Sequence, residues 1–124
     1  WGFTIGCSPD GLVGADGMIE IKSRRQRFQI ETIAKGAVPD DFVLQVQTAL
    51  LVTDRQWLDF ISYSGGLPMA VIRVEPDPEI QEAIVAAATR FEEQVAGVIG
   101  DYHDAQKRLR LTPTERRIYE DLRI

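Results

Sequence analysis

Between Ser8 and Lys22 the chain reads SPDGLVGADGMIEIK, and the end of that stretch alternates apolar and polar residues with the period of a half-buried β-strand. Met18-Ile19-Glu20-Ile21-Lys22 therefore turns its acid and its amine to one side. Ile19 and Ile21 face the other way, where the core is expected. Asp10-Gly11 and the cluster Gly14-Ala15-Asp16-Gly17 are strong turn signals, so the chain can double back within a few residues. The prediction is a hairpin-like unit that sets Asp10 beside Glu20 on the neighbouring strand.

Two carboxylates held together repel, and one must stay protonated unless a cation sits between them. A hard divalent metal resolves the conflict. Carboxylate and carbonyl oxygens with water suit magnesium or manganese and suit zinc poorly. An amine at Lys22 beside such a metal fits phosphodiester hydrolysis, where the metal activates the attacking water and the ammonium orients it or stabilises charge on the phosphate. Each feature alone is ordinary, since an Asp in a Pro-Asp-Gly turn usually serves the turn and a Glu-x-Lys pair usually lies on a solvated face. Their order is what carries weight.

Pro-Asp, a short spacer, an apolar residue, Glu-x-Lys and a basic run match the PD-(D/E)XK nuclease signature. The longer stretches GCSPDGLVG, DGMIEIKS and QVQTALLVTDRQWLDFISY resemble the lambda exonuclease or YqaJ-type viral recombinase family, a far more specific match. The resemblance implies Asp10 and Glu20 as catalytic metal-binding acids, Ile21 as a ligand through its backbone carbonyl, and Lys22 as the catalytic lysine. It also implies Gln47 as the helix glutamine facing the site. Ser8, beside the first acid, and Arg24 and Arg25, after the strand, join Gln47 as expected DNA contacts. Related nucleases often carry a tyrosine four residues after the glutamine; here Leu51 stands there.

For the whole molecule the resemblance implies a restriction-endonuclease-like α/β fold with a mixed sheet flanked by helices, and a Mg2+ or Mn2+ cofactor. It implies 5′-to-3′ digestion of duplex DNA ends by a homotrimeric ring, with a single-strand annealing protein as partner in phage recombination. The setting would be the cytoplasm of a bacterial host. The family has a helical region upstream of the first motif, whereas this chain starts at Trp1, so residues 1–110 are read as a nuclease core without that region and 111–124 as a helical tail. A RecB-like or restriction-type endonuclease and a non-catalytic DNA-binding or assembly module remain open.

At 124 residues, 44% hydrophobic and 27% charged, the composition is that of one ordinary globular domain. No apolar run approaches the roughly twenty residues of a membrane span, and no leader is evident. The single Cys7 excludes an internal disulfide and an iron-sulfur cluster, and is expected to be a small buried residue in a strand. A net charge of -5 has the wrong sign for holding DNA by bulk electrostatics. Its distribution answers the objection. Lys22, Arg24, Arg25 and Arg27 follow the proposed catalytic strand, while the eight acids between Glu75 and Asp104 are accompanied only by Arg90.

Further along, 25–35 predicts a short helix ended by Gly36, with Phe28, Ile30 and Ile33 as its buried residues. Pro39-Asp40-Asp41 opens a second helix running to about Val52. Gln45 and Gln47 lie on different faces of it; by sequence alone either is a surface glutamine. Residues 56–63 and 69–75 predict a strand pair, covered on both sides in an α/β/α sandwich, with Trp57 and Tyr63 as core or interface aromatics and Arg73 as a further candidate for the DNA face. From Asp77 to about Ala105 the pattern is one long helix, capped by Asp77 and expected to pack on the sheet. His103 reads as a surface residue. Thr112 begins a last helix with Ile118, Leu122 and Ile124 as a small apolar stripe.

Overall fold

The computed structural model describes residues 2–114. Its elements are β1 (Gly11–Val13), β2 (Gly17–Ser23), α1 (Gln26–Lys35), α2 (Asp40–Thr53), β3 (Trp57–Tyr63), β4 (Ala70–Val74) and α3 (Pro78–Arg108). The strands form one sheet in the order β1-β2-β3-β4. β1 and β2 pair antiparallel across the turn at 14–16, β2 and β3 pair parallel, and β3 and β4 pair antiparallel. The parallel step needs a long crossover, and α1 and α2 supply it. This mixed sheet with helices is the expected restriction-endonuclease-like α/β architecture.

The helix ends follow their local chemistry. Gly36 takes a left-handed φ of 62° and its N–H closes α1 on the Thr32 carbonyl at 2.9 Å. Asp40 and Asp41 occupy the first turn of α2, where the helix dipole favours acids, and Asp54 ends it at a φ of 54°. The Asp77 carboxylate accepts the N–H groups of Glu79 and Ile80, at 3.0 and 3.2 Å, and caps α3 as predicted.

The core lies on one face of the sheet. Met18 of β2 and Leu58 and Phe60 of β3 pack beneath Val46, Ala49 and Leu50 of α2, with Phe42, Ile72 and Val74 around them. Each large side chain fully buried here contributes roughly 1.5–3 kcal/mol of transfer free energy. α1 is tied to the same face by a polar link: buried Gln29 donates to the Ser62 and Pro68 carbonyls at 3.0 and 2.8 Å, and the Ser62 hydroxyl donates back to its Oε1 at 2.5 Å. The buried residues of α1 are thus Gln29 and Thr32, and not the expected Phe28, Ile30 and Ile33; Ile30 and Ile33 are 56% and 44% exposed. The helix docks through hydrogen bonds that an apolar-stripe reading cannot detect.

Three other expectations are corrected. The side of β2 that meets the core is the Met18 and Glu20 side, while Ile21 is exposed on the opposite face, because the covering helix α2 lies over the acid. That opposite face, with Ile21, Tyr63 and Val71 about half exposed, carries no helix among the described residues, so the hairpin is not covered on both sides. Arg73 also lies there, across the sheet from Glu20 and paired with Asp59. Finally, α3 buries none of its residues, although Ile80, Ile84 and Ala88 of its first turns are half-buried.

Gly17 shows how tightly the sheet is fitted. It pairs with Trp57, and a Cβ on it would fall 2.1 Å from the Trp57 ring. The half-buried indole occupies the space a side chain would need. By internal contacts the chain divides into residues 2–90 and those from Phe91 onward. No helix among the described residues is long and apolar enough to cross a membrane. Residues 112–114 are irregular, and the rest of the expected last helix, with Ile118, Leu122 and Ile124, lies outside the described residues.

Candidate active site

β1 stops at Gly11, opposite Ile19, so Asp10 is the next residue out and stands across from Glu20. Where the backbone ladder ends, the side chain continues it: the Asp10 carboxylate accepts the Ile21 N–H at 2.7 Å. In a strand the N–H and C=O of one residue point to the same edge. The Ile21 carbonyl therefore opens toward Asp10. The hairpin thus sets Asp10, Glu20 and Ile21 at neighbouring positions.

Glu20 is 5% exposed beneath α2. A carboxylate taken this far from water must be compensated by charge or hydrogen bonds. Its Oε1 accepts both Lys22 Nζ and Gln45 Nε2, each at 2.6 Å. Lys22 reaches it because the two residues share a face of β2, and its ammonium also lies 5.2 Å from the Phe42 ring centroid. Oε2 of Glu20 and Oδ1 of Asp10 have no protein hydrogen bond among the described residues. A cavity of about 320 Å³ opens on this group, lined by Cys7, Ser8, Glu20, Gln45 and Thr48 among others.

Of the residues expected from sequence, Asp10, Glu20, Ile21 and Lys22 come together and Ser8 lines the cavity beside them. Gln47 does not face the site. It is 3% exposed and its amide is spent on the start of α3, donating to the Glu75 carbonyl at 3.0 Å and accepting the Asp77 N–H at 2.9 Å. Gln45 holds the place assigned to it. Two residues on a helix differ by about 200° in direction, so only one of the pair can reach the acid. The signal was present: Gln45 shares a flank with Phe42 and Ala49, three and four residues away, next to the core stripe.

Cys7 is exposed and outside any strand, contrary to expectation, because the segment before β1 runs along the cavity mouth instead of joining the sheet. Arg24 extends the parallel ladder, its N–H meeting the Tyr63 carbonyl at 2.8 Å, and its Nη1 donates to Thr32 Oγ1 at 2.8 Å. Arg25 precedes α1 and is exposed.

The oxygens left at this site fit a hard divalent cation. Two carboxylates with a free oxygen each and a strand carbonyl make the sparse oxygen set that magnesium accepts while keeping several waters. Among the described residues no three or more His, Cys, Asp or Glu converge on one point, so the set rests on these two acids and the carbonyl.

Known proteins share parts of this sequence and fold. Residues 3–56 match the model of the YqaJ-like viral recombinase domain, a span that holds the hairpin and α2. Among solved structures, LHK-Exo in complex with dAMP is similar at a TM-score of 0.75 and 36% identity over 82% of this chain and 55% of that one. The alkaline exonuclease LHK-Exo from Laribacter hongkongensis is similar at 0.67 and 35%, over 78% and 54%. This chain thus spans about half the length of the exonuclease chains it matches. Curated proteins show no significant match. By motif and by fold, the chain is similar to the YqaJ-like viral recombinase domain and to the alkaline exonuclease LHK-Exo.

Proposed function

We propose that this chain is the catalytic part of a metal-dependent deoxyribonuclease that digests duplex DNA from an end, 5′ to 3′, in a phage-type recombination system. The observation that carries the reading is Glu20: buried, charge-compensated on one oxygen by Lys22 and Gln45, without a protein hydrogen bond on the other among the described residues, and across the hairpin register from Asp10. A purely structural ion pair would have no reason to leave a buried carboxylate oxygen without a partner at a cavity.

Asp10, Glu20 and the Ile21 carbonyl would hold Mg2+ or Mn2+, which supplies Lewis acidity at the phosphate and lowers the pKa of the attacking water. Gln45 keeps the Glu20 carboxylate in one rotamer. Lys22, on a rigid strand, keeps its ammonium where negative charge grows on the phosphate and can orient the incoming water. Ser8, which lines the cavity, would donate to a phosphate oxygen. LHK-Exo is found with dAMP, a mononucleotide of the kind that end-digestion releases, which supports an exonuclease over an endonuclease. A homotrimeric ring, an annealing-protein partner and action in a bacterial cytoplasm complete the proposal from family resemblance.

The test is a linear duplex labelled at the 5′ or the 3′ end, beside a covalently closed circle, in magnesium, manganese or EDTA. Mononucleotide release from 5′ ends in metal, with circles intact, is expected. Release that persists in EDTA or in Glu20→Ala would overturn the assignment.

A further inference from the structure

The cations that follow β2 are organised by aromatic rings. The Lys22 ammonium lies 5.2 Å from the Phe42 centroid and the Arg24 guanidinium 5.4 Å from the same ring. Arg24 is also 4.9 Å from the Phe28 centroid, and Arg27 is 4.3 Å from that ring. Two rings thus carry three cations in series, Lys22, Arg24 and Arg27, starting at the Glu20 carboxylate. Arg25 touches neither ring among the contacts of the described residues.

Only the first of the three is paired with an acid. Lys22 meets Glu20, whereas Arg24 spends one N–H on Thr32 and neither Arg24 nor Arg27 has a carboxylate partner among the described residues. Glu31, Asp40 and Asp41 share a hollow with Arg24 without forming an ion pair with it. Ring faces attract the flat of a guanidinium and leave its edge N–H groups free. They also restrict the long side chains before any ligand arrives, which lowers the ordering cost of gripping one. Lys22 and Arg24 are two residues apart on extended backbone, so their Cα atoms are about 7 Å apart and their side chains leave the same face of the strand.

We propose that Arg24 and Arg27, seated on Phe42 and Phe28, hold successive backbone phosphates of the DNA strand whose cleaved phosphate lies at Lys22. This rests on the nuclease reading above and adds which cations form the track. It accounts for DNA binding by a chain of net charge -5: the positive charge that matters is local and unspent.

The test is binding of a fluorescent duplex with a single-stranded overhang, in EDTA to prevent cleavage, by anisotropy across a salt series. Arg24→Gln should weaken binding roughly tenfold and lessen the slope of log K against log salt by about one, as expected for one lost phosphate contact. Arg27→Gln should act in the same direction and Arg25→Gln clearly less. Phe28→Leu, which keeps every charge, should weaken binding without lessening the slope; Arg24→Lys should do the same. An unchanged slope in Arg24→Gln with a wild-type melting temperature, or an equal loss in Arg25→Gln, would overturn the track. Wild-type protein that cleaves in a Glu20-dependent way while Arg24→Gln binds normally sinks the track alone. Wild-type protein that neither binds nor cleaves sinks the nuclease reading with it.

Discussion

On the helix-covered face of the sheet Lys22 meets Glu20 at 2.6 Å; on the opposite face Arg73 grips Asp59 through two N–H groups, each at 2.8 Å. Both pairs join neighbouring positions on strands, and both are short. They differ in what is left over. Asp59 uses both oxygens on Arg73, whose guanidinium lies 3.8 Å from the centroid of the Trp57 ring, so that pair is closed. Glu20 uses one oxygen, faces a cavity and stands beside Asp10. An ion pair whose partners are saturated stabilises a surface, whereas one with an unspent oxygen at a cavity can take a metal. Exposure alone would mislead, because the more buried pair is the one we propose to be functional.

Four experiments can break or sharpen this contrast. The largest effect is expected from Lys22→Ala and Glu20→Ala, each lowering cleavage by a factor of about a hundred or more while duplex binding survives. The equivalent change at Arg73 should leave cleavage within a few-fold of wild type, and a comparable loss there would erase the distinction between the faces. Next, Gln45→Leu should lower cleavage about tenfold with little change in stability, since it frees the Glu20 rotamer. Gln47→Leu should do the reverse, costing about 1–3 kcal/mol because the Glu75 carbonyl and the Asp77 N–H lose their partner. Chemical denaturation beside an activity assay separates the two.

Gly17→Ala should destabilise the protein by roughly 1–3 kcal/mol, by driving a methyl group into the Trp57 ring. A mutant of wild-type stability would show that the open face yields easily. The smallest effect concerns Asp59. The hydrogen bond from Arg73 is the main cause holding its carboxyl below the ordinary value of 3.8, against a smaller opposing push from burial. A depressed folded-state pKa contributes stability that is full above 3.8 and is lost as pH falls through the lower folded value. Asp59→Asn should therefore reduce the melting temperature slightly near neutral pH, and the difference from wild type should vanish in strong acid. A difference that persisted there would assign the pair's contribution to packing on Trp57 instead.

The hairpin of the candidate site was legible because everything that makes it is local. Alternation put Glu20 and Lys22 on one side, turn residues returned Asp10 to them, and end signals at Gly36, Pro39 and Asp77 marked the helices. The sequence by itself therefore determined the hairpin, the helix boundaries, the acid pair and the amine. Tertiary structure alone decided which side of β2 meets the core, since a strand's alternation is symmetric until a helix covers one face. It decided between Gln45 and Gln47, because a helix offers both and only its docking angle aims one at the acid. It turned an unremarkable run of arginines into a ladder, because Phe42 comes from a helix whose approach to β2 is set by the packing of Phe60, Met18 and Leu50. These outcomes depend on contacts between residues distant in the chain, and local periodicity carries no information about those.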